Sequence, residues 1–170
     1  MADLTKTEPA RLVASAKFAK AALETRHREF EGIKARAEAD LKAAQAKLKA
    51  AMAPPSNPGD ACLFQNIRQH LRSLPTGDRV RLLEQAKAEG DNLTLLAAIA
   101  GPTFLSLAPD DLRGGYQDAF LANTVPNDLG HATRLLDALQ SATDGMAQLD
   151  AHANKLIDFP TADAIERSAS

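Results

Sequence analysis

Four histidines, one cysteine and an adjacent acid pair are the residues here that could do chemistry. His27, His70, His131 and His152 are scattered along the chain, so no two of them make a metal site by spacing. Asp128 and His131 share a helical face, but two ligands are short of the three or four protein donors that a zinc or similar site uses. The Glu-x-x-His pairs of di-metal helical bundles are missing. Cys62 has no histidine nearby to activate it, and its place before Leu63 and Phe64 predicts a small packed thiol. Asp110-Asp111 follows Pro109, where acidic side chains suit the positive end of a helix. Gly114-Gly115 lacks the preceding strand and the following Lys-Ser/Thr of a phosphate-cradling loop. The expectation is a non-enzymatic protein with no catalytic residue, cofactor or metal.

The elements that carry these residues read as helices throughout. Aromatics are 4% of the chain, and β-branched and aromatic residues never alternate over a sustained run. The expected fold is all-α: a long coiled-coil-like N-terminal helix, a Pro-rich elbow, and a compact helical body ending in a long C-terminal helix. In residue numbers, 1–53 is an arm, 54–60 a linker, 61–158 the body and 159–170 a tail.

The arm begins with Thr7 as N-cap and Glu8 and Pro9 in the first turn. From Pro9 to Met52 no proline interrupts it, which at 1.5 Å per residue gives a rod of ~66 Å. Its apolar seam runs Leu12, Ala16, Ala19, Leu23, Arg26, Phe30, Ile33, Ala37, Leu41, Ala44, Leu48, Ala51. The steps alternate four and three apart from one extra four-residue step at Ala37 to Leu41, a stutter that unwinds a left-handed supercoil locally. Five of these twelve positions are alanine, so the seam buries little area but allows close approach of another helix. Gly32 in this helix predicts a close crossing or a bend. The second seam, on a helix over 127–158, is Leu135, Leu139, Ala142, Met146, Leu149, Ala153, Leu156.

Between the two lie shorter elements. Pro54-Pro55-Ser56-Asn57-Pro58-Gly59 stops the arm, and Asp60 is expected to cap the next helix, whose inward stripe is Leu63, Phe64, Ile67, Leu71 and Leu74. Thr76 is the expected cap of the following helix and Gly90 its stop. Asp91 then caps a segment with Leu93, Leu95, Leu96 and Ile99, expected to be the deepest in the body. Phe104, Leu105 and Leu107 form an apolar connector before a helix opened by Pro109, in which Gly114-Gly115 predicts a break or a close backbone contact. Phe159 and Ile165 are expected to pin the tail.

Charge divides along the chain. Pro9 to Met52 holds ten Lys/Arg against five Asp/Glu, and Ala53 onward nine against fifteen. A basic arm and an acidic body attract each other, within one chain or between neighbours. The arm's cations are interleaved with Glu24, Glu29, Glu31, Glu38 and Asp40 around the helix, whereas phosphate-tracking helices cluster them on one side. Nucleic acid is therefore a disfavoured partner, and a membrane surface is less favoured still because the apolar face is mostly Ala and lacks Trp. A single cysteine favours a reducing, cytoplasmic setting. The charged start of the chain is unlike a signal peptide, and no apolar run is long enough for a membrane span.

One stretch carries a resemblance. His70-Leu71-Arg72, Arg79, Leu82-Leu83, Ala86, Gly90-Asp91, Leu95-Leu96-Ala97-Ala98-Ile99, Leu105-Ser106 and Leu112-Arg113, within Ile67 to Pro126, resemble small helical proteins of tailed-phage and prophage structural modules. The resemblance implies a virion or assembly component such as a scaffold, connector or decoration protein, in the virion if phage-encoded, and no catalytic residues. The expected partners are further copies of this chain or other structural proteins, met through Leu12, Leu23, Phe30, Ile33, Leu41, Leu48, Leu135, Leu139, Met146, Leu149 and Leu156. A cytosolic adaptor that uses the arm on a different protein is the alternative.

Overall fold

The computed structural model describes residues 7–102 and 105–168. The protein is all-helical, with seven α-helices and no strand among the described residues. They are α1 (Glu8–Ala51), α2 (Pro58–Ser73), α3 (Thr76–Glu89), α4 (Asn92–Ile99), α5 (Asp110–Thr124), α6 (Pro126–Leu156) and α7 (Phe159–Ser168). The connector expectation at Phe104 and the reading of Met1 to Lys6 fall outside the described residues. None of the helices is long and apolar enough to cross a membrane, among the described residues.

The chain forms two compact units. One falls within residues 1–40 and 135–170, and the other is Leu41–Arg134. The dividing points lie inside α1 and α6, not at the prolines of 54–58.

Unit Leu41–Arg134 holds the core. α4 is buried from Thr94 through Ile99, apolar on every side, and α2, α3 and α5 pack on it. Phe64, Leu71, Leu83, Ala86, Tyr116, Phe120 and Leu121 complete the cluster, with Leu48 and Ala51 of α1, and Met52 just after it, packed against it. Each fully buried leucine, such as Leu71, Leu83 or Leu95, contributes roughly 1.5–3 kcal/mol. Lys47 Nζ lies 3.3 Å from Asp128 Oδ1, joining the end of α1 to the first turn of α6. Ala44 and Ala132, about a turn along each helix, are buried.

Local chemistry sets the helix ends. The Asp91 side chain accepts from the Thr94 amide at 3.1 Å and from its hydroxyl at 2.6 Å, capping α4 as expected. Gly90 stops α3 at φ +72°. α2 differs from expectation: Asn57 is the cap, accepting from the Asp60 amide at 2.8 Å, because Pro58 and Gly59 already lie in the first turn. Pro75 precedes α3 and supplies no side-chain bond, so Thr76 is inside the helix rather than its cap. Gly114-Gly115 neither breaks α5 nor meets a close backbone: nothing lies within 4 Å of a Cβ built at Gly114, and only Lys87 Nζ, 4.0 Å away, is near Gly115. Gly32 is equally open, so the chain makes no close crossing there.

The expected tail is a helix. Asp158 accepts from the Thr161 amide at 3.0 Å and the Thr161 hydroxyl at 2.7 Å, an N-cap that restarts the chain as α7 immediately after α6. These two bonds hold the Asp158 carboxyl below the usual carboxylate range.

Candidate interaction surface

In the unit of residues 1–40 and 135–170, α1 runs beside α6 and α7. His27 Nε2 and Asp150 Oδ2 are 3.0 Å apart, which fixes the register of α1 against α6. α7 lies beside the N-terminal part of α1: Lys17 Nζ reaches Glu166 Oε1 and Lys20 Nζ reaches Asp163 Oδ1, both at 2.5 Å. Lys20 also sits over the Phe159 ring, 5.8 Å from its centroid. With Lys47, three lysines of α1 and His27 thus meet carboxylates of α6 and α7 in the same chain. These pairs are partly exposed, so each stabilises by less than about 1 kcal/mol.

Burial in this unit is thin. Ala16 and Ala162 are buried, whereas Leu12, Ala19, Leu23, Phe30, Ala37, Leu135, Leu139, Met146, Ala153 and Ile157 are half-buried. Leu41 and Leu48 of the expected seam belong to the other unit, where both are half-buried. Ile33 and Leu156 stand open to solvent at 65% and 69% exposure, and Leu149 is exposed as well. On α6 the covered face is centred on Leu135, Leu139, Met146 and Ala153, with Leu149 and Leu156 on its flank. The structure therefore divides the seam between residues used inside the chain and residues left outside it.

The most exposed large apolar side chain among the described residues was not among the seam residues. Phe18 is 79% exposed, and sits about 100° around the helix from Ala19. It forms one wall of an open apolar groove of about 590 Å³, lined also by Ala14, Ser15, Ala19, Ala22, Leu23, Ala153 and Ile157. A second hollow, which shares Ser15 and Ile157 with the first, continues it past Arg11 and Leu12 to Leu156 and Ile165. An isolated phenylalanine off the heptad steps was the available signal. Five of the seven large apolar side chains exposed among the described residues, Phe18, Ile33, Leu136, Leu149 and Leu156, lie in this unit; Leu63 and Leu105 lie in the other.

The candidate chemical residues do not assemble. No group of three or more His, Cys, Asp or Glu that could hold a metal occurs among the described residues, and Asp128 is engaged by Lys47. Asp110 and Asp111 occupy the first turn of α5. Cys62 is exposed rather than packed, because Phe64, Arg68 and Leu71 define the inward face of α2 and position 62 points away from it. Leu63 is exposed for the same reason.

Three arginines are used inside the other unit, and one of them was invisible as such in the sequence. Arg68 is buried on the Phe64–Leu71 face and donates to the Ala97 carbonyl at 2.6 Å, Leu105 at 2.9 Å and Ala100 at 3.4 Å. Arg79 donates to Leu107 and Leu74, and Arg113 to Ile99 and Gly101. Apart from Leu74 at the end of α2, these carbonyls belong to the end of α4 and the loop that follows it. Burial, and then the charge of Arg72, lowers the Arg68 pKa.

Comparison with known proteins returns nothing to set beside this geometry: no family model, curated protein or solved structure is significantly similar to the chain.

Proposed function

We propose that this chain is a non-enzymatic helical assembly protein that acts by associating with copies of itself. What supports this reading is the uneven distribution of exposed apolar side chains. Phe18, Ile33, Leu136, Leu149 and Leu156 remain open in a unit with few fully buried residues, although α1 already has α6 and α7 beside it. An exposed apolar surface of this kind is characteristic of a protein–protein contact. Three lysines of α1 that would serve a polyanion are committed to Glu166, Asp163 and Asp128, which favours a protein partner over nucleic acid. Within an assembly, the resemblance carried by Ile67 to Pro126 suggests a phage-type scaffold, connector or decoration part, in the virion or the host cytoplasm.

The test is solution mass at two concentrations. The expected result is a particle heavier than the 18.1 kDa monomer whose mass rises with concentration. Ile33→Asp combined with Leu156→Asp should lower that mass and leave the helical circular dichroism unchanged, since both side chains are exposed. Leu23→Asp is unsuited to the purpose, because Leu23 is half-buried within the chain. A chain that stays monomeric until another protein is added would be an adaptor, and the self-association reading would fall.

A further inference from the structure

Two helices end at one cleft in the unit Leu41–Arg134. α1 stops at Ala51, shortly before Pro54 and Pro55, and α4 stops at Ile99, where Gly101 takes φ +92° and Pro102 follows. The cleft measures about 630 Å³, more than either hollow beside the start of α1. Met52, Pro54, Ile99 and Pro102 give it apolar walls. Its polar side chains are Lys49 from the last turn of α1, and Arg113 and Gln117, one turn apart on α5. A mostly apolar cavity of this size with a few convergent polar groups is the usual form of a small-molecule site.

The charges around it favour one kind of ligand. Both helices bring their C-terminal ends to the cleft, each equivalent to about half a negative charge. Arg113 Nη2 donates to the Ile99 carbonyl at 3.2 Å and the Gly101 carbonyl at 3.1 Å, which fixes the guanidinium at the wall without removing its charge. Lys49 is exposed and meets no carboxylate among the described residues, unlike Lys17, Lys20 and Lys47 of the same helix. No carboxylate is among the described residues that line the cleft. Two full positive charges thus face about one negative, a surplus that suits a single anionic group.

We propose that this cleft binds a small organic monoanion with an apolar body, a medium-chain or aryl carboxylate. Its charged end is met by Lys49 and Arg113, and its apolar part lies on Met52, Pro54, Ile99 and Pro102. Such binding needs no second copy of the chain, so it stands or falls separately from self-association.

The test titrates the isotope-labelled full-length chain with octanoate and reads amide chemical shifts. Octanoate should shift Ala100, Gly101 and Gln117 saturably. Octanol and octylammonium, which lack the anion, and phosphate, which lacks the apolar chain, should each bind about tenfold more weakly or worse. Lys49→Glu should weaken octanoate about tenfold, whereas Lys155→Glu, an exposed lysine in the other unit, should leave it unchanged. Ala53→Trp should fill the cleft and abolish the shifts, with wild-type circular dichroism because Ala53 is exposed. The proposal is overturned if octanoate binds no better than octanol or phosphate, or shifts residues 14–23 instead. Binding indifferent to Lys49→Glu and Ala53→Trp, or no saturable shift with octanoate or phenylacetate, would overturn it as well.

Discussion

Tyr116 shows how the environment of a single residue governs its chemistry. It is among the most completely buried side chains in the core of Leu41–Arg134, at 1% exposure. Burial, followed by the negative charges of Glu84 and Asp111, pushes its pKa up to about 12. The folded value lies above the unfolded value of roughly 10. The stabilisation is therefore complete below pH ~10 and is lost as pH rises through the folded pKa, a difference on the order of 2–3 kcal/mol. Unfolding titrations from pH 9 to 12 should show stability falling only above pH ~10. Tyr116→Phe should flatten that part of the profile. A wild-type profile that is already flat there would contradict the assignment. Arg68 follows the opposite logic: a charge is tolerated inside because three carbonyls receive it.

At the scale of the element, two glycines in helical context behave oppositely for a conformational reason. Gly114 has helical backbone angles and open space around it, so Gly114→Ala should stabilise by about 0.5–1 kcal/mol. Gly90 holds the left-handed conformation that ends α3, so Gly90→Ala should destabilise by about 1 kcal/mol or more. Thermal denaturation of the two variants should shift in opposite directions; a shift of the same sign would mean that one of these backbone assignments is wrong. α7 illustrates a related point. Its ten residues are too few to hold a helix alone. Asp158, the ion pairs from Lys17 and Lys20, and the burial of Ala162 together keep it ordered.

For the whole molecule, the contrast between the units predicts uneven protection. Amides of α4 and of α5 around Tyr116 and Phe120 sit in the closed core and should exchange with solvent slowest. Amides of α1 before Asp40, and of α6 after Leu135, belong to a unit whose apolar residues are mostly half-buried, and should exchange orders of magnitude faster. Hydrogen-exchange mass spectrometry reads the difference. Uniform protection across both units would contradict this account.

Much of this fold was legible in the chain before any coordinates. The scarcity of strand formers determined an all-helical protein. The uninterrupted run after Pro9 determined α1, and Asp91, Gly90 and the apolar Leu93–Ile99 set determined where the core helix begins and how deep it lies. These features are local: caps, breakers and periodicity act within a few residues. What only the tertiary structure decided depends on neighbours distant in sequence. Periodicity placed Leu156 and Ile33 on a seam, but which flank of a seam is covered depends on the direction from which α6 and α7 approach. Phe18 and Arg68 show the same limit from both sides. Phe18 is left outside because none of the described helices covers it, and Arg68 is taken inside because the carbonyls that satisfy it come from residues 97–105.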